Sequence, residues 1–158
     1  MIEQTMCTSF KAEVLLGVHD FRASTGDTFK MALYTSSANL GAGTTAYTAT
    51  DEVTGTGYTA GGVTLTKLGV DESDYQSGAS LGVGYTSFSN VVIMNTNVVA
   101  AGALIYNTTP SANGIAGTPL TNPAVCVLDF GGDKTAAGGT LNITFPANTG
   151  EAAIVRIA

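Results

Sequence analysis

The sequence predicts an all-β fold, an antiparallel β-sandwich of the jelly-roll or Greek-key type, with one α-helix near the N-terminus. Only 11% of the 158 residues are charged, and 20 are glycine. Threonine is abundant, whereas the glutamate, lysine, arginine and leucine that fill helices are scarce. Short segments of alternating apolar and polar residues recur between glycine-rich turns, and no strand-helix alternation typical of a parallel sheet is present.

The length predicts one domain over residues 1–158, since about 150 residues is a common domain size. Within it, a short N-terminal arm at residues 1–7 precedes a helix over about residues 9–20. A hydroxyl side chain just before the helix is suited to cap it. One helical face carries apolar residues spaced by four, four and three, namely Phe10, Val14, Val18 and Phe21.

Seven segments have strand patterns, namely residues 28–35, 63–68, 85–94, 98–106, 124–130, 140–145 and 152–157. The clearest is 28–35, where Phe29, Met31 and Leu33 point to one side, as in a strand with one buried face. Residues 36–62 form a long glycine-rich loop that we expect to be ordered and functional. Residues 131–139 are expected to form a turn between two strands.

The charge pattern excludes several classes of partner. The net charge is −6, and the six lysine and arginine residues are scattered, so neither nucleic acid nor an anionic membrane surface is an expected partner. The longest nearly unbroken apolar run, residues 98–106, is about half the length of a membrane span. Without a secretory signal pattern we expect synthesis in the cytoplasm, where Cys7 and Cys126 would be buried free thiols.

One motif raises the alternative of a serine hydrolase. Residues 78–82 read Gly-Ala-Ser-Leu-Gly, which matches the G-x-S-x-G nucleophile motif around Ser80. The catalytic histidine of that class follows the serine, whereas the single histidine here, His19, precedes it. We therefore predict no catalytic residue and no enzyme activity, and we interpret His19 as a capping or surface residue.

The acidic cluster Asp71, Glu72 and Asp74 is the one candidate for an ion site. It lacks the glycine and the distal glutamate of an EF-hand, so a solvated loop is the favoured interpretation. The sequence alone leaves open whether the cluster binds an ion. We predict no metal site and no cofactor.

Several segments together resemble small virion structural proteins of tailed bacteriophages, of the capsid decoration or cement type. They are residues 10–21, 29–35, 44–48, 52–62, 102–107 and 127–131. The similarity spans nearly the whole chain and is one of structural segments, so it carries over no functional residue. It implies a virion protein on the capsid surface that binds the major capsid protein and forms a homo-oligomer.

The arm and the long loop are the segments expected to bind the partner. Their apolar and aromatic residues are Ile2, Met6, Leu40, Tyr47, Val53 and Tyr58. The alternative is that the arm is disordered and that the loop tyrosines fold back on their own sheet. A second functional hypothesis is a tail or fibre module that binds host sugars through exposed tyrosines, for which the candidates are Tyr47, Tyr58, Tyr75 and Tyr85.

Overall fold

The computed structural model describes residues 1–72 and 82–158. In these residues the chain forms one α-helix, eight β-strands and a short 3-10 helix at Ile115–Gly117. In chain order the main elements are β1 (Thr5–Met6), α1 (Thr8–Leu15), β2 (Phe29–Tyr34), β3 (Val63–Thr64), β4 (Lys67–Glu72), β5 (Gly84–Phe88), β6 (Val91–Asn107), β7 (Ala124–Ile143) and β8 (Val155–Ile157). The predicted β-rich class with one N-terminal helix is confirmed.

The strands form two antiparallel sheets. The larger sheet has the order β1-β7-β6-β2-β3, and the smaller one has the order β4-β5-β8. β6 and β7 pair along nearly their whole length, from Val91 opposite Ile143 to Tyr106 opposite Ala124. β2 pairs with β6 only over residues 102–107. The rest of the β6–β7 hairpin therefore extends past β2.

Both sheets contribute to one hydrophobic core. The ring of Phe29 on β2 lies 5.8 Å from that of Phe88 on β5, measured between centroids. Phe145 lies 5.7 Å from Phe88, and Phe21 stacks on Phe29 at 4.4 Å. Full burial of one such side chain stabilises a fold by about 1.5–3 kcal/mol. This aromatic group therefore joins the two sheets.

β2 lies where the alternation predicts it, but the expectation of a single buried face is wrong. Ala32 and Tyr34, on the face opposite Met31, are fully buried as well. The loop at residues 36–62 covers that face, because Tyr34 Oη donates a hydrogen bond to the Thr48 carbonyl at 2.6 Å. The loop is ordered, as expected, and covers one face of the larger sheet.

α1 is shorter than the predicted helix over residues 9–20. It ends at Leu15 because Gly17 adopts a left-handed conformation, with φ 69°. Val18 and Phe21 are buried all the same, but from the segment that follows the helix. The N-cap residue is Cys7, whose side chain makes no capping hydrogen bond, so the expected hydroxyl cap is also wrong.

The four segments predicted at residues 85–94, 98–106, 124–130 and 140–145 are rearranged. Residues 84–88 form β5, residues 91–107 form the single strand β6, and residues 124–143 form the single strand β7. The expected turn at 131–139 belongs to β7, because β-bulges absorb its irregular residues. Between the pairs Ala100–Lys134 and Gly102–Asp129 one residue of β6 faces four of β7, and Gly131 and Gly132 there have positive φ.

Two smaller boundary predictions also change. The segment predicted at residues 63–68 is divided between β3 and the start of β4, which continues to Glu72. The strand predicted at residues 152–157 is shorter and begins at Val155. The first change divides one predicted strand between the two sheets, and the second lies at a strand end, where sequence alternation gives little information.

The first seven residues are part of the fold and do not form a projecting arm. Thr5 and Met6 pair with Val127 and Cys126 at the edge of the larger sheet. The N-terminal amino group donates to the Ala38 carbonyl at 2.8 Å. Cys7 is fully buried. The alternative of a disordered N-terminus is therefore wrong.

Candidate partner-binding surface

The outer edge of β7 is unpaired over most of its length by the strands that the structure describes. β1 pairs with this edge only at Cys126 and Val127. Among the residues that the structure describes, no strand pairs with the outer side of β7 beyond Val127. From residue 135 to residue 143 the edge carries neither a charge nor a proline, which are two of the devices that prevent strand addition. Such an edge can pair with an extended segment of another chain.

A groove of about 490 Å³ runs beside this edge and has an apolar lining. We call it the β7 groove and define it by five half-buried apolar residues, Leu128, Phe130, Leu141, Ile143 and Ile154. Lys134 and Asp129 also line it. A free strand edge beside apolar side chains is the arrangement by which proteins add a partner strand, with the backbone giving affinity and the side chains giving specificity.

A second apolar surface lies on the long hairpin. Along the first half of β6 buried and exposed residues alternate, which leaves Val92, Met94 and Val99 exposed, Met94 to 67%. Their neighbours Val91, Ile93 and Val98 are buried. The hairpin thus presents one apolar side to the core and three apolar side chains to solvent.

The residues that the sequence analysis proposed for partner binding lie in three environments. Leu40 and Val53 are 4% and 2% exposed and belong to the core. Ile2 and Met6 are half-buried against the sheet, and Ile2 packs on Gly102. Tyr47 and Tyr58 are half-buried and bonded within the chain, as described next. The burial of Leu40 and Val53 leaves Ile2, Met6, Tyr47 and Tyr58 as the accessible members of the set, whose partner role stays a prediction.

Tyr47 and Tyr58 bind a buried carboxylate. Tyr58 Oη donates to Glu52 Oε1 and Tyr47 Oη to Glu52 Oε2, both at 2.6 Å, and the Gly61 amide donates to Oε1 at 2.8 Å. Burial, together with the carboxylate, raises the pKa of Tyr47 to about 12 and that of Tyr58 further. Tyr47 also stacks on Tyr106 at 4.8 Å. The observed geometry agrees with the alternative stated from the sequence, in which these tyrosines fold back on their own sheet.

The residues of the hydrolase and ion-site hypotheses are only partly described. Ser80, Asp74 and Tyr75 lie outside the described residues. The His19 side chain is completely buried and bonded to Glu13, so its interpretation as a surface residue is wrong. Asp71 and Glu72 are exposed at the end of β4. In residues 1–72 and 82–158 no three His, Cys, Asp or Glu side chains lie close enough to share a metal ion.

The sequence does not reveal the β7 groove as a surface, because the strand predicted at residues 140–145 gives no sign that Leu141 and Ile143 line a groove. The informative signal was the uncharged run that follows Lys134, since edge strands are usually protected by charge. The bulge at residues 130–133, which brings Phe130 beside Leu141 in one groove, has no comparable sequence signal.

Comparison of the chain with protein families, with curated proteins and with solved structures finds no match. No helix in the described part of the chain is long and apolar enough to span a membrane. The cysteine prediction is confirmed, because Cys7 and Cys126 are both buried and free.

Proposed function

We propose that this chain is a non-enzymatic virion structural protein that decorates or cements a bacteriophage capsid by binding major-capsid subunits. The resemblance of its segments to small virion proteins supports the proposal. The observation that carries it is the β7 groove, an uncharged strand edge beside apolar side chains. We propose that an extended segment of a major-capsid subunit occupies this groove.

The low charge of the surface supports this mode of binding. Ion pairs contribute little at exposed sites, at most about 1 kcal/mol each, and the groove carries only Lys134 and Asp129. Backbone hydrogen bonds and apolar contacts, repeated by the symmetry of a shell, would supply the affinity. The proposal includes a homo-oligomer on the outer surface of the virion.

The finer fold assignment belongs to the same proposal. Two antiparallel sheets that share an aromatic core are the arrangement expected of a β-sandwich. We propose a sandwich of the Greek-key or jelly-roll type, since the order β1-β7-β6-β2-β3 places strands from both ends of the chain side by side.

A tail or fibre module that binds host sugars is the alternative function. Its four candidate tyrosines would have to form one exposed patch. Tyr47 and Tyr58 are instead engaged with Glu52, and Tyr85 is half-buried on β5. The geometry therefore favours protein binding over sugar stacking.

Occupancy on purified shells tests the proposal. Shells that lack the protein are mixed with wild-type protein, with Phe130→Glu or with the matched control Leu15→Glu, and bound copies are counted by quantitative gel analysis. Leu15 is 88% exposed on α1 and far along the chain from the groove. We expect saturable binding of wild type and Leu15→Glu, and at least about a tenfold loss of affinity for Phe130→Glu, since about 1.4 kcal/mol separates tenfold affinities.

Each part of the proposal has its own contradicting result. Absence of wild-type binding to any shell, together with binding to a glycan array, would contradict the capsid function and favour the fibre alternative. Equal occupancy by Phe130→Glu and wild type would retain the function but contradict the groove assignment. Thermal unfolding of each variant beforehand ensures that only folded proteins are compared.

A further inference from the structure

A polar cluster, buried except at Ser111, joins four parts of the chain near α1. We call it the His19 cluster and define it by Glu13, His19, Asp27, Asn107 and Ser111. Glu13 belongs to α1, His19 and Asp27 to the segment that follows it, Asn107 to the end of β6, and Ser111 to the loop that leads to β7. Neither the proposed function nor the β7 groove uses this cluster.

The hydrogen bonds of Asn107 determine the orientation of its amide group. Its oxygen Oδ1 accepts from the Thr109 backbone amide at 2.9 Å, and its nitrogen Nδ2 donates to Asp27 Oδ2 at 2.7 Å. The second hydrogen on Nδ2 is therefore the one that points at His19 Nδ1, which lies 3.1 Å away. His19 Nδ1 accepts this hydrogen bond and carries no proton.

The other ring nitrogen of His19 must then carry the proton. Nε2 lies 2.7 Å from Glu13 Oε2 and donates to that carboxylate. The folded protein thus holds His19 as the neutral tautomer protonated at Nε2. Protonation at Nδ1 would place two donors, the Asn107 amide and the imidazolium, 3.1 Å apart.

The surroundings of the imidazole also oppose its charge. The side chain is completely buried, and its centroid lies 4.9 Å from the ring of Phe10 and 6.4 Å from those of Phe21 and Phe29. Burial lowers the pKa of His19 below its usual 6.5, although Glu13 and Asp27 act in the opposite direction. The carboxylates do not outweigh burial.

The charged groups around the cluster come from three neighbouring elements. Glu13 faces His19 from α1, and Asp27 approaches from the following segment. The Asp20–Arg22 ion pair and the Lys67 ammonium on β4 lie around Asp27, and Lys67 donates to the Asp27 carbonyl. The buried Cys7 thiol lies near Glu13. Among these groups in the described chain, none hydrogen-bonds to His19 Nδ1.

We propose that His19 is a pH-sensitive latch between α1 with its following segment and the end of β6. In the neutral state it connects Glu13 on one side with Asn107 on the other. A proton on Nδ1 keeps the Glu13 contact, now as an ion pair, but replaces the Asn107 hydrogen bond by a donor–donor contact. The junction between His19 and Asn107 therefore opens, and the backbone hydrogen bond from the Ser111 amide to the Val18 carbonyl, 2.9 Å in the closed state, is released with it.

The direction of the pH effect follows from linkage. The unfolded chain binds a proton at His19 near pH 6.5, whereas the folded chain binds it only at lower pH, so the unfolded state holds more protons between these values. The free energy of unfolding therefore falls as the pH drops below about 6.5 and stops falling, as far as His19 is concerned, below the folded-state pKa.

Nuclear magnetic resonance of the imidazole tests the latch in the unmodified protein. His19 is the single histidine of the chain, so its ring nitrogen signals need no assignment by mutation. We expect the Nε2-protonated tautomer at about pH 7.5 and a titration midpoint below 6.5. The Nδ1-protonated tautomer, or a midpoint above 6.5, would overturn the proposal.

Amide hydrogen exchange tests whether protonation opens the junction. Between about pH 7.5 and 5.5, after correction for the intrinsic rate, we expect protection of the Ser111 amide to fall in the wild type. The variant His19→Gln, which has no titratable ring, should lose this pH dependence. Unchanged protection of Ser111 in the wild type, or the same fall in His19→Gln, would overturn the latch.

Discussion

Tyr47 and Tyr58 donate to the same carboxylate, yet their hydroxyl groups should differ in their contribution to stability. Tyr47 Oη donates to Glu52, and the Gly61 amide near it also has Glu52 Oε1 as an acceptor. Tyr58 Oη also donates to Glu52 and, in addition, accepts the backbone amide of Leu33 at 2.9 Å. Leu33 is fully buried, and its carbonyl accepts from the Val53 amide on the side away from β6. Removal of the Tyr58 hydroxyl therefore leaves a buried backbone N–H without a partner.

The expected magnitudes follow from the number of groups that lose a partner. A hydrogen bond to a charged group contributes about 1.5–3 kcal/mol, and a buried donor left without an acceptor costs about 1–3 kcal/mol. Tyr47→Phe removes one charged hydrogen bond and leaves Glu52 Oε2 without its tyrosine donor, but Glu52 lines an open surface pocket from which water can reach that oxygen, so we expect a loss of about 2 kcal/mol. Tyr58→Phe removes one such bond and also orphans the Leu33 amide, so we expect a loss of about 3–5 kcal/mol.

Urea denaturation of the two phenylalanine variants measures this difference, because both substitutions keep the ring and delete one oxygen. The m-value should stay that of the wild type, so that the shift in midpoint reports stability alone. Glu52→Gln is a further control, since its amide oxygen can still accept from Tyr58 and Gly61. An equal or smaller loss for Tyr58→Phe than for Tyr47→Phe would refute the reasoning.

Three further expectations concern glycine packing, tyrosine ionisation and thiol reactivity. Gly102→Ala places a methyl group 2.5 Å from the Leu128 carbonyl oxygen and should cost more than about 1 kcal/mol in urea denaturation, whereas Gly139→Ala enters open space and should change stability by less than about 0.5 kcal/mol. The pKa of Tyr47 is raised to about 12, so the folded state keeps the phenolic proton above pH 10, where the unfolded chain loses it. The free energy of unfolding should therefore fall as the pH rises beyond 10, and alkaline absorbance titration should detect tyrosinate that forms only well above pH 10. Burial raises the pKa of Cys7 to about 11 and that of Cys126 to about 12, so a thiol reagent at about pH 8 should label neither in the native protein and both after unfolding; rapid native labelling would contradict the burial.

Local patterns predicted those elements whose stability is determined by their own residues. The alternation around Phe29 and Met31 located β2, because a two-residue period distinguishes a strand from a helix. The end of α1 depends on Gly17, which is visible in the sequence but was outweighed by the apolar spacing of Val18 and Phe21. These two residues reach the core from an irregular segment, and apolar periodicity alone does not distinguish that arrangement from a longer helix.

The site depends on contacts between distant residues and could not be predicted in the same way. Glu52 drew no attention in the sequence, although its buried carboxylate holds both tyrosines that were assigned to a partner. The His19 cluster required Asn107 to lie beside a residue 88 positions earlier. Such positions follow from strand order, which short-range patterns leave undetermined.

The strand order β1-β7-β6-β2-β3 has a consequence for the order in which the chain can fold. β6 and β7, from the later part of the chain, occupy the positions between β1 and β2. A nascent chain synthesised as far as β3 therefore contains β1, β2 and β3 but not β6 and β7, the central strands between β1 and β2. Contacts at such separation slow folding and expose unpaired strands in the meantime. β6 and β7 are consecutive strands joined through residues 108–123 and make the longest pairing of the sheet, so during synthesis the N-terminal strands can dock only after this pair has been made.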